Sequence, residues 1–168
     1  MTSGHRVDPA LGRKCSRIRA LYESVQSETE KDIAESHTDE ILQLTRDLIE
    51  QSGSDRSARC VAYSAVKLLV HRKSRVESVL PCSLDLFAIS LRVLEPYMPG
   101  KKPTRLHIPG DDVALAVGAL ISAGMALAEC IVQEQVDVAS QYLNKMLHGV
   151  QKAWHVLFDD TSRCVHCS

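Results

Sequence analysis

Sixteen consecutive residues, 113–128 (VALAVGALISAGMALA), pass without a charged side chain, and only Glu129 interrupts the apolar run before Val132. A helix that is apolar on every side has no face to offer water, so it must be enclosed by other protein elements or by lipid. A membrane span needs roughly twenty such residues. The charge-free run stops short of that, and no basic cluster flanks it closely. The pattern predicts a buried apolar central helix at 113–132. Ala114, Gly118 and Ser122 have the four-residue spacing that lets helices approach closely in lipid as well as in protein. A membrane-active helical protein using 113–132 is therefore a rival reading, although no stable membrane span is expected.

With 168 residues, the chain can bury one substantial core without disulfide or metal staples. Its hydrophobic content of 45% is too high for a disordered chain, and an aromatic content of 4% favours helix packing over a β-sandwich. No stretch sustains strand-like alternation between turn signals. The expected fold class is all-α, a compact bundle of five to seven helices around the central one. One helical domain is expected at 8–160, between a flexible start at 1–7 and a loose tail at 161–168. Twenty basic residues balance twenty-one acidic ones, so no global field draws the protein to nucleic acid or membrane. The N-terminus lacks the apolar run of a secretory signal, which points to a cytoplasmic or nuclear protein with its six cysteines as free thiols. Cys15, Cys60 and Cys130 occupy apolar positions of helical patterns, where cysteine acts as a small hydrophobe.

Along the chain, Asp8-Pro9 predicts a capped first helix with Leu11, Cys15, Ile18, Tyr22 and Val25 on one stripe. The polar stretch from Ser27 is either an extension of that helix or a break near His37, with a second helix at about 38–51. Ser54 or Asp55 caps a third helix that ends in the basic run 71–75. Pro81 is expected to close the segment 76–80, with Ser83 capping a fourth helix up to Pro96. Prolines crowd a connection at 97–110. A single helix from 113 to 158 would measure about 70 Å, so a break is expected near 133–137. The expected core includes Leu44, Leu48, Leu68, Leu69, Phe87, Leu91, Leu115, Leu120, Met125, Leu127 and Ile131.

Chemistry-bearing signals are few. There is no phosphate-binding glycine loop, nucleophile elbow or HExxH, and no cofactor, metal site or catalytic residue is expected. Cys164, His166 and Cys167 form a poor chelating set, since adjacent His and Cys suit a zinc tetrahedron badly. Three basic clusters at 13–19, 71–75 and 101–105 supply Arg13, Lys14, Arg17, Arg19, Arg72, Lys73, Arg75, Lys101, Lys102 and Arg105. On one face, these would suit a phosphate backbone, so RNA or DNA binding is the second function expected. The first is a non-enzymatic interaction module, an adaptor or regulator that also self-associates. Its seam is Val132, Val136, Ala139, Leu143, Met146, Val150, Ala153 and Leu157, spaced in alternating fours and threes and widened by Leu147, Trp154 and Phe158; the alternative is that this whole width is internal, packed against the first two helices. Another protein or a second copy, forming a homodimer, is the expected partner.

Overall fold

The computed structural model describes residues 8–27, 35–53, 55–97 and 110–158. The expected termini at 1–7 and 161–168, and the basic cluster at 101–105, lie outside them. Six α-helices account for nearly all described residues: α1 (Pro9–Ser27), α2 (Glu35–Ser52), α3 (Arg56–His71), α4 (Val76–Leu94), α5 (Gly110–Val132) and α6 (Val136–Phe158). A short 3-10 turn, Glu95–Tyr97, follows α4, and no strand occurs among the described residues. The chain folds as the expected all-α bundle.

Helix ends follow local chemistry. Asp8 accepts a hydrogen bond from the Ala10 backbone N–H at 2.9 Å, and Asp55 accepts one from that of Ala58 at 3.0 Å. These satisfy donors that the first helical turn leaves open. At the end of α3, the Ser74 N–H reaches the Leu69 carbonyl and the Lys73 N–H that of Val70, with Lys73 left-handed at φ 54°. The end of α5 repeats this arrangement, Gln135 donating to Cys130 and Glu134 to Ile131, with Glu134 at φ 60°. Both are Schellman closures, which use up terminal carbonyls and reverse the chain. The second supplies the break expected near 133–137.

Two boundaries differ from expectation. Helix α2 begins at Glu35, so His37 lies within it rather than at a break. Helix α4 runs unbroken through Pro81, and Ser83 caps nothing: it is buried and donates its hydroxyl to the Val79 carbonyl at 2.8 Å. Pro81 lies early in the helix, where its missing N–H deprives only the carbonyl of Glu77, a half-exposed residue.

The core joins Leu11, Ile18, Ile41, Leu48, Val66, Leu69, Leu80, Leu86, Phe87 and Leu91 from the first four helices to an alanine edge of α5. Ala116, Ala119, Ala123 and Ala126 have no exposed surface, and α4 is the helix that α5 meets most extensively. Leu44, Leu120 and Leu127 pack partly buried against this core. Helix α5 is central, with α3, α4 and α6 around it. The enclosure is incomplete, however: Met125 is 52% exposed and Ile131 56%, so neither belongs to the core expected for them. Among the described residues, α3, α4 and α6 pack on α5 and one side of it stays open. Cys60 is likewise exposed rather than packed, whereas Cys15, Cys82 and Cys130 are buried free thiols.

Candidate interaction surface

The open side of α5 continues onto α6. All ten large hydrophobic side chains exposed among the described residues belong to these two helices: Val117, Ile121, Met125, Ile131, Val132, Val136, Leu143, Leu147, Val150 and Trp154. At about 100° per residue, Val117, Ile121, Met125 and Val132 share one narrow sector of α5, opposite the alanine edge. Val136, Leu143, Leu147, Val150 and Trp154 share one sector of α6 in the same way.

The two sectors adjoin. Around α6, Lys145 and Lys152 reach Asp85 and Glu95 at 3.0 and 3.1 Å, and Gly149 lies against the Phe87 ring. Those contacts fix the α4 side. Met146 comes next, its methyl over Gly124 of α5, and the apolar sector follows beyond it. Around α5, Gly124 marks the α6 side, while Gly118, set under the Tyr63 ring, and Glu129, 3.2 Å from Lys73, mark the α3 side. The exposed sector lies between these two sides. One apolar face therefore spans the antiparallel α5–α6 seam, and neither sector contains a charged residue.

The stripe read from sequence spacing along α6 merges two faces. Ala139, Met146 and Ala153 turn inward with Tyr142 and Gly149, while Val136, Leu143, Leu147, Val150 and Trp154 remain outside. Met146 is thus a packing residue between α5 and α6. The side chains of Leu157 and Phe158 lie outside those described. The α5 half of the surface had no sequence signal, because every side of that helix looks alike.

The basic clusters are placed differently. Arg17 grips Glu40 through two hydrogen bonds of 2.7 and 3.0 Å, Lys14 meets Asp47 at 3.0 Å, and Arg75 meets Asp39 at 3.3 Å. Arg17 and Arg75 thus converge on Asp39 and Glu40 in the early part of α2, each tied to a carboxylate. The Arg17 hydrogen bond holds the Glu40 carboxyl below its ordinary pKa, and the Lys14 hydrogen bond does the same for Asp47. Arg13 and Arg19 are exposed on α1, and Arg72 is half-buried after α3. Lys101, Lys102 and Arg105 lie outside the described residues.

Elsewhere, an open cleft of about 340 Å³ between α1 and α3 is lined by Ile18, Arg19, Tyr22, Cys60 and Ser64 among others. It sits apart from the α5–α6 face. Burial pushes the thiols of Cys15, Cys82 and Cys130 up, which disfavours the nucleophilic thiolate. His148 and His155 are exposed on α6. Among the described residues, no three His, Cys, Asp or Glu side chains group as a metal site; Cys164, His166 and Cys167 lie outside them. The class defined by these features is an all-α bundle with one apolar helical hairpin face that is exposed among the described residues. Comparisons with protein-family models, curated proteins and solved structures find no match.

Proposed function

We propose that the chain is a non-enzymatic protein-interaction module, an adaptor or regulator, which docks partners on the outer face of α5 and α6. The observation that carries this reading is the confinement of every exposed large hydrophobic side chain among the described residues to one continuous face. Monomeric proteins seldom leave contiguous apolar patches of more than a few hundred Å² in water, and larger ones mark docking sites. Trp154, 61% exposed, is the type of residue that anchors such contacts. The basic clusters favour nucleic acid less, since Lys14, Arg17, Lys73 and Arg75 each spend their charge on a carboxylate of the same chain.

A photo-crosslinking residue tests the reading in cells. Placed at Leu147 it should trap protein adducts, and placed at Ala20 on the exposed side of α1 it should not. Equal trapping at the two sites, or none at Leu147, overturns the proposal.

A further inference from the structure

Resting on that reading of the face, we infer that its occupant is a second copy of this chain, seated by two-fold symmetry so that two α5–α6 hairpins form a four-helix layer. The first argument is area. The ten exposed side chains present on the order of 1,000 Å² of largely apolar surface, against the roughly 800 Å² per partner that a stable interface buries. An apolar face of that size is uneconomical in a lone monomer and sufficient for a dimer.

The second argument is charge. A two-fold interface pairs one patch with itself, so a face carrying a single sign of charge would repel its copy. The residues from Val113 to Ala128 carry no charge, and the outward sector of α6 carries none from Val136 to Trp154. Nothing on this face opposes its own copy. A bilayer partner would instead call for basic residues along the border, to meet anionic headgroups. The border offers Ser140 and Gln151, while Lys145 and Lys152 point to α4 and are engaged there.

The third argument is period. Val136, Leu143 and Val150 recur every seven residues, as do Leu147 and Trp154, the spacing that keeps a stripe facing an apposed helix.

The test uses the full chain and its single tryptophan. Light scattering and Trp154 emission are followed from micromolar to submillimolar concentration, for wild type and for Ile121→Glu combined with Leu147→Glu. A wild type of twice the chain mass is expected, with emission that shifts to the blue as copies associate. The double variant should keep its helical circular dichroism and a concentration-independent red emission, with association weakened at least about thirtyfold, as for loss of an interface hot spot. If the double variant unfolds, the wild-type emission decides: a blue shift with association supports this face, and a dimer without one overturns it. A monomeric wild type with constant emission also overturns the second copy. If the double variant is then folded and stable, the wider docking reading survives; if it is unfolded, the face belongs to the core and both fail. A blue shift seen only on adding phosphatidylcholine vesicles assigns the face to lipid and overturns the dimer.

Discussion

Asp112 is the one acidic side chain buried among the described residues. It is buried at the start of α5, accepts from Arg56 at 2.6 Å and from the buried Arg59 at 3.0 Å, and ties α5 to α3. Burial, the largest single influence, would raise its carboxyl pKa, but the hydrogen bonds and the charges of Arg56 and Arg59 together outweigh it and hold the group below the ordinary range. Asp112→Asn should cost about 3–5 kcal/mol, because it removes the acidic member of a buried ion pair. The sign of the pH dependence follows from a lowered folded-state pKa. The contribution of Asp112 is complete above the ordinary carboxylate value of about 3.9 and fades as pH falls toward the depressed one. Denaturant titrations of both proteins should therefore differ by a constant amount near neutrality and converge in acid; a gap that persists in acid would contradict the ion pair as its source. Gly149 supplies a steric counterpart. A Cβ there would stand 2.8 Å from the Phe87 ring, so Gly149→Ala should destabilise by about 1–3 kcal/mol despite alanine's better helix propensity. Gly12→Ala meets nothing within 4 Å and should instead stabilise by up to about 1 kcal/mol. Thermal melts of the two variants should move in opposite directions.

At the scale of elements, the turn between α5 and α6 sets how the outer face is assembled. Glu134 holds a left-handed backbone that costs a side-chain-bearing residue roughly 1–2 kcal/mol. Glu134→Gly should raise the unfolding free energy by up to about 1 kcal/mol, and a β-branched residue there should lower it; equal stability in both would show that the turn is not strained. Sequence legibility also divides along element lines. The break itself could be read, because one unbroken helix would outgrow the domain, and the apolar stripe of α6 was legible because polar residues interrupt it, but which of its residues face outward was not. Helix α5 offered no such contrast. Which of its sides faces water depends on how many helices surround it, so Met125 and Ile131 looked as interior as Leu115. Pro81 misled for a different reason: the rule that proline ends a helix weakens near the helix start, where the lost hydrogen bond leaves a carbonyl that water can reach.

Across the whole molecule, polarity is divided unevenly. Ion pairs lace α1 to α2, α2 to the start of α4, α3 to α5 and α4 to α6, while the outer α5–α6 face has none. Raising salt should therefore leave association through that face intact or strengthen it, whereas binding through phosphate contacts would weaken steeply. Sedimentation at low and high salt distinguishes the two, and dissociation of the proposed dimer by salt would contradict an apolar interface. The alanine edge of α5 has a further consequence for how this sequence can drift. Ala116, Ala119, Ala123 and Ala126 let helices pack at a separation that only the smallest side chains permit, so these positions act as a gauge of spacing. Substitution there is bounded from above: serine or glycine fits, and anything larger pries the bundle apart. One helix thus has two opposite tolerances a half-turn apart, with an inner edge closed to added volume and an outer edge, at Val117, Ile121 and Met125, where a larger side chain meets open space.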